Sequence, residues 1–151
     1  MHRSNISMID ISEKKDSLRI AIAEGKIKLK KSTIKLIKEN KIKKGDVLSN
    51  GELAAINAVK KTPDFIFLAH PIPIMGIEVN FEIDLDNAFI KARVEVKSQG
   101  KTGVELEAIL GVQIALLTIW DMTKYVEKDK DGQYPETEIV EVKVIKKIKE
   151  V

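Results

Sequence analysis

The sequence predicts an α+β domain, with helices packed on one face of a mainly antiparallel sheet. Three observations carry this expectation. Residues 77–97 form two alternating apolar and polar runs on either side of an Asp86-Asn87 turn signal, the pattern of a hairpin with one buried face. Residues 100–124 repeat apolar side chains at helical spacing. Shorter helical and alternating stretches flank both. A chain of 151 residues suits one domain, expected to span 1–151 with residues 1–9 as a loose arm, and it is long enough to bury a core.

Taken in order, Leu18, Ile20, Ile22, Ile27 and Leu29 alternate in part across Ser17 to Lys30. Gly25 interrupts them, which predicts strand structure with a turn or bulge at that point. Ser32 is placed as an N-cap for a short helix ending near Asn40. Lys43-Lys44-Gly45-Asp46 reads as a basic turn. A second helix is expected from about Ser49 to Lys61, with Leu53, Ile56 and Val59 on its apolar side and Thr62-Pro63 as its stop. The short apolar run Phe65 to Leu68 leads into His70-Pro71-Ile72-Pro73, which the prolines hold extended.

The clearest strand follows. Ile77, Val79, Phe81, Ile83 and Leu85 alternate with Glu78, Asn80, Glu82, Asp84 and Asp86. The return puts Ile90, Ala92, Val94 and Val96 on one face and Lys91, Arg93, Glu95 and Lys97 on the other, which predicts a solvated face of cross-strand ion pairs. In the stretch GKTGVELEAILGVQIALLTIWDMTK, Thr102 and Glu105 form a T-x-x-E capping box at the start of a long helix. Val104, Ile109, Val112, Leu116, Ile119 and Met122 give its core-facing positions. The helix is apolar almost all round between Ala108 and Trp120, so burial is expected. Glu127 to Gly132 reads as a charged turn. Val140, Val142 and Val144 form a last strand, and the lysine-rich end lies in solvent.

Composition narrows the function classes. Hydrophobic residues make up 44% and charged residues 32%, as in soluble globular proteins. The formal charge is only +3, from 26 basic and 23 acidic side chains, which argues against a dedicated nucleic-acid binder. There are no cysteines, hence no disulfide framework and no thiolate metal site. Neither a secretory signal nor an apolar run of bilayer length is read from the sequence, so the cytoplasm is the expected compartment and no membrane partner is expected. With no cysteine, one histidine beyond the terminal arm and no carboxylates clustered at ligand spacing, no metal site is expected.

Several residues could carry chemistry, each with an ordinary structural alternative. Gly100-Lys101-Thr102 imitates the end of a phosphate-binding P-loop, but the first glycine of that pattern falls at Glu95. The turn can still hold an anion, through helix N–H groups and Lys101, or be a plain strand-to-helix connection. His70 is either a hydrogen-bonded packing residue or a ligand. Glu107 and Asp121 lie fourteen positions apart near one face of the long helix, about 21 Å along its axis. One small ligand cannot touch both, whereas a second chain could bring a helix start to a helix end. Asp121 and Lys124 are neighbours at i, i+3, either as a surface ion pair or as a proton-sharing pair whose burial would perturb both. Lys44, Lys60, Lys61, Lys101 and Lys124 form a loose basic set able to neutralise a polyphosphate.

GKTGVELEA followed by ALLTIWDMTK, KKGDVL at 43–48, AINAVKKTPDFIFLAHP at 55–71 and MIDISEKKDSLRIAIAEG at 8–25 together resemble the molybdenum cofactor biosynthesis protein C family, over most of residues 8–126. Members of that family are cyclic pyranopterin monophosphate synthases. The resemblance implies a ferredoxin-like fold and the conversion of 3′,8-cyclo-7,8-dihydroguanosine 5′-triphosphate to cyclic pyranopterin monophosphate and diphosphate, a lyase reaction with no redox cofactor. It also implies a hexamer built as a trimer of dimers with sites between subunits. Asp121, Lys124 and Lys44 take the catalytic positions. Leu68, Ala69, His70, Leu106, Glu107 and Lys101 take substrate-binding positions. The motif match alone does not set their roles; a division of labour inferred from these positions has lysines and His70 holding phosphates, Glu107 holding the guanine-derived ring, and Asp121 with Lys124 moving protons. Ala69 stands where the family usually has cysteine, and the end IKKIKEV departs from the family's Gly- and Lys-containing tail. The alternative from another class is a non-catalytic ferredoxin-like module that binds RNA or a regulatory nucleotide. RNA binding would call for aromatics on the sheet, and aromatics are only 5% of this chain.

Overall fold

Alternation builds the sheet. The computed structural model describes residues 5–150, so part of the expected arm, residues 1–4, lies outside the described residues. The elements run β1 (Ser17–Lys28), α1 (Lys31–Lys38), α2 (Val47–Lys60), α3 (Thr62–Phe65), β2 (Ile74–Asp84), β3 (Phe89–Gly100), α4 (Glu105–Glu127) and β4 (Glu138–Glu150). The four strands lie in the order β2-β3-β1-β4, and every pairing is antiparallel. It follows that β1 and β2 run parallel with β3 between them, and β3 and β4 run parallel with β1 between them. Two such split β-α-β units make the ferredoxin-like fold.

One sheet face is apolar and carries the helices. Ile90, Ala92, Val94 and Val96 of β3 are all buried, as their alternation predicts, and they meet Ala21, Ala23 and Ile27 of β1 in the core. The outer face carries ion pairs, Lys91 with Glu82 at 3.8 Å and Arg93 with Glu24 at 3.7 Å. Its pairing is not uniformly complementary, because Glu78 stands opposite Glu95.

Gly25 does not end a strand. β1 runs through it, and the irregularity is a register shift against β4 between Glu24 and Lys26. A Cβ at Gly25 would lie 2.8 Å from Val112 and 2.9 Å from Val142, so the missing side chain is what lets α4 and β4 close over this point. Gly111 does the same where α4 crosses α2.

Three local expectations give way to tertiary contacts. Thr102 does not cap α4, whose N-cap is Val104 with no side-chain cap. Glu105 instead turns outward to Lys147, 3.4 Å away on β4. Ser32 is not the N-cap of α1; Lys30 is, and its N–H donates to the Glu127 carboxylate 3.2 Å away. Leu53 is exposed, because α2 packs through its small residues Gly51, Ala55 and Ala58 together with Val59. The lysine-rich end lies in solvent as expected, with Lys146, Lys147 and Lys149 exposed, while β4 pairs with β1 as far as Glu150.

α4 also extends further than its apolar run, through to Glu127. Val104, Val112, Leu116, Ile119 and Met122 are buried, but Leu106 and Leu117 are exposed, so burial is one-sided. By length and composition the helix could cross a bilayer, contrary to the sequence expectation; half of its most apolar stretch is buried inside the domain.

Glu127 joins three parts of the chain. Its side chain is fully buried and accepts from the Thr33 hydroxyl, from the Thr137 hydroxyl at 2.7 Å and from the N–H of Lys30. Replacing it with alanine strands these donors, each at about 1–3 kcal/mol when buried. Glu127→Ala is therefore expected to lower unfolding stability by roughly 3 kcal/mol or more. Glu127→Gln, which keeps an acceptor, should lose less. Urea unfolding of the two variants beside the parent protein measures both effects.

Candidate active site at the two ends of one helix

The C-terminal half of α4 meets a turn from far away in sequence. After α1 the chain passes through Asn40 at φ 54° and Gly45 at φ 114°, backbone angles that glycine accepts freely. Asp46 then caps α2 by accepting from the N–H of Ser49 at 3.0 Å. This brings Lys44 over α4, although it is 77 residues from Asp121 in sequence. Lys44 Nζ lies 3.4 Å from both Asp121 carboxylate oxygens and 3.1 Å from the Asp121 carbonyl. Lys124 Nζ approaches the same carboxylate at 3.2 Å.

The three side chains are half exposed, between 44% and 58%. The expectation that burial perturbs the pair is thus not met, because this part of the helix surface faces solvent. Asp121 is shifted by its neighbours: hydrogen bonding from Lys124, then from Lys44, holds its carboxyl below the usual range.

The N-terminal end of α4 borders a cleft of about 460 Å³. Leu68, Ala69 and His70 line one side, and Thr102, Gly103, Glu105, Leu106 and Glu107 line the other. Ser7, Ile9, Asp10, Ile11 and Lys14 of the arm complete it. Residues 5–11 of the arm form no helix or strand, but they are tied down: His70 Nε2 lies 2.6 Å from the Ile9 carbonyl, and Lys101 Nζ donates to the Ser12 carbonyl at 3.1 Å. Lys101 lies beside the cleft, in a hollow shared with His70 and the arm. Glu107 is only 3% exposed, and burial, with Glu105 nearby, pushes its carboxyl above the ordinary range.

The predicted residues thus fall into two groups. Lys44, Asp121 and Lys124 converge at one end of α4. Leu68, Ala69, His70, Leu106 and Glu107 converge at the other, with Lys101 beside them. Within one chain the groups stay apart, since fourteen helical residues span about 21 Å. Lys60 and Lys61 join neither. Among the described residues, no three or more His, Asp or Glu side chains gather as a metal-ligand set.

Sequence reasoning passed over Arg19. It pairs across the sheet with Ser98 and is 9% exposed, and its Nε and Nη2 atoms are buried without a hydrogen-bond partner among the described residues. Spacing carried no signal for it, because the alternation of Leu18, Ile20 and Ile22 puts Arg19 on the opposite face, whereas the structure buries Arg19 together with Ala21 and Ala23.

Fold and clusters together define an α+β protein with a candidate site for a small anionic molecule. A family model described as the MoaC family matches residues 8–149, and the chain belongs to that family. A Pyrococcus furiosus protein named probable cyclic pyranopterin monophosphate synthase is 54% identical over 145 residues, 96% of this chain and 92% of that protein. An Archaeoglobus fulgidus protein of the same name is 48% identical, over 95% of this chain and 91% of its own length. A Methanothermobacter thermautotrophicus protein, 55% identical over 95% of this chain and 89% of its own, is named probable cyclic pyranopterin monophosphate synthase accessory protein.

Glu107 yields a prediction with a definite sign. Its raised carboxyl means that the folded state disfavours the ionised form. Its contribution to stability is intact below the ordinary carboxylate range and is lost as pH rises through the raised value. Glu107→Gln should therefore melt higher than the parent at neutral pH, by about 2–4 °C for each kcal/mol relieved. The gain should shrink toward about pH 4, where the free carboxyl also protonates. Calorimetry at both pH values tests this.

Proposed function

We propose that this chain is a cyclic pyranopterin monophosphate synthase of molybdenum cofactor biosynthesis. It converts 3′,8-cyclo-7,8-dihydroguanosine 5′-triphosphate to cyclic pyranopterin monophosphate and releases diphosphate. Family membership supports the reaction, and the full-length similarity to proteins of that name supports it further. The observation that carries the site assignment is the convergence of Lys44 and Lys124 on the carboxylate of Asp121.

The chemistry follows from the charges. Two ammonium groups hold Asp121 ionised and offer N–H donors that a phosphate can also use. A phosphate arriving at Lys44 and Lys124 competes with Asp121 for them. The released carboxylate then has a higher proton affinity and can act as a base, with a lysine as the matching acid. Ring opening and ring closure both need such proton transfers. At the other end of α4, His70 and Lys101 are phosphate donors, and Glu107, protonated more readily than an ordinary glutamate, can hydrogen-bond the guanine-derived ring. Leu68, Ala69 and Leu106 supply the apolar wall.

The separation of the two groups supports a site completed by a second copy, in a homo-oligomer built from dimers and, by family resemblance, a trimer of dimers. Exposed apolar side chains on α2 (Leu53), on α4 (Leu106, Leu117) and in the 65–68 turn (Phe65, Phe67, Leu68) are consistent with a face that such a copy covers. The proposed compartment is the cytoplasm, where a phosphorylated substrate of this kind is held.

The test is formation of cyclic pyranopterin monophosphate from the cyclised triphosphate by the purified protein. Asp121→Asn and Lys124→Ala should each lose turnover by 10²-fold or more, the scale of acid–base catalysis. Unfolding should shift little, because a solvent-exposed ion pair is screened and adds little to stability. Variants within about threefold of the parent would make the pair structural. A folded parent protein without turnover would point instead to an accessory role. Light scattering that finds only monomer at micromolar concentration would remove the shared-site geometry.

A further inference from the structure

We infer that Tyr125 is a positioning residue for Lys44, acting through a hydrogen bond that its hydroxyl accepts from the turn that carries the lysine. The Lys43 N–H donates to the Tyr125 hydroxyl at 2.8 Å. The Lys43 ammonium also lies over the Tyr125 ring, 5.7 Å from its centre. The next residue, Lys44, reaches the Asp121 carboxylate and carbonyl. Asp121 and Tyr125 are one helical turn apart on α4, so they are neighbours on its surface. The helix that offers the carboxylate therefore also grips the backbone one residue before the lysine that meets it.

This grip has a reason to exist. Lys44 is a long, flexible side chain, half exposed, on a turn that Gly45 leaves free to adopt many backbone angles. Without a tether near Lys44, its ammonium would sample many positions around Asp121. The helix α1 that leads toward the turn is held at its start, where Glu127 accepts from Lys30 and Thr33. Ile42 is buried just before the turn. The turn closes on itself through the Gly45 N–H, which donates to the Ile42 carbonyl at 3.1 Å, and Tyr125 ties it to α4 directly beside Lys44. Tyr125 makes no contact with the cleft at the other end of α4 and is 37% exposed, so burial alone does not account for it.

The inference rests on Lys44 serving the reaction proposed above, and the test separates the two claims. Tyr125→Phe keeps the ring and removes only the hydroxyl. It is expected to lower kcat/KM by about three- to tenfold, the factor that one hydrogen bond supplies, with an unchanged unfolding midpoint. The loss should fall on whichever parameter, kcat or KM, Lys44→Ala changes. In a double-mutant cycle, Tyr125→Phe added to Lys44→Ala should slow the enzyme by no more than about twofold beyond Lys44→Ala alone. A second readout needs no turnover. Among the described residues, Lys44 and Lys124 are the cations drawn to the Asp121 carboxylate. Its titration, followed by carbon-13 NMR, should move toward the ordinary carboxylate value in Tyr125→Phe, in the same direction as in Lys44→Ala.

If Tyr125→Phe matches the parent in rate and in Asp121 titration while Lys44→Ala is impaired, the inference is overturned and the site stands. Losses that simply multiply in the double variant would also overturn it, because Tyr125 would then act by another route. If Lys44→Ala itself turns over like the parent, the role of Lys44 falls and the positioning role falls with it.

Discussion

A buried carboxylate sets the terms for this fold. Glu127 has no solvent to stabilise it, so it must be met by donors, and these come from two distant parts of the chain: Lys30 and Thr33 at the start of α1, and Thr137 on the way into β4. Satisfying one group thus docks α1 on the end of α4 and fixes where the chain turns back to form the edge strand. The last turns of α4 acquire a defined rotation in the process. Asp121, Lys124 and Tyr125 share those turns, and the Lys43-Lys44 turn follows from the docking of α1. The geometry at that end of the helix is downstream of a hydrogen-bond requirement that has nothing to do with substrate.

Much of this architecture is legible in the sequence where periodicity is the cause. The β2–β3 hairpin, the inward row Ile90, Ala92, Val94 and Val96, and the buried stripe of α4 follow from spacing alone, since a period-2 or period-3.6 pattern has one way to bury itself. The caps were not legible. Thr102 and Ser32 carry the right side chains at plausible places, yet Glu105 is drawn to Lys147 and α1 receives its acceptor from Glu127, 97 residues from Lys30. A local motif cannot announce a competitor that arrives through the fold. Leu53 misled for a related reason: small residues let helices approach closely, so α2 turned its glycine and alanines toward its neighbours and its leucine outward.

The candidate site divides in the same way. Spacing along α4 places Asp121 beside Lys124, and family resemblance draws attention to Lys44, but only the docking of the 43–46 turn puts all three within reach of one another. Their environment differs from the expected one. Perturbation by burial belongs to Glu107 at the other end, whereas Asp121 is governed by charge and hydrogen bonding in a half-exposed setting. One helix therefore carries two carboxylates shifted in opposite directions by different causes. Glu127 and Arg19 were invisible for one shared reason, since each sits among ordinary charged or alternating neighbours and only its degree of burial sets it apart.

α4 is also a ruler with a phase. Its two ends carry different halves of the candidate site, and each residue of helix advances the axis by about 1.5 Å and rotates it by about 100°. Inserting or deleting a single residue between Glu107 and Asp121 would swing one half away from the surface it serves while the other stayed in place. Only changes near a whole number of turns, such as seven residues, would restore the facing, and these would displace the ends by about 10 Å. The length of this segment is thus constrained as an integer. Loops of this fold can grow or shrink, but the count from Glu107 to Asp121 cannot drift by small steps.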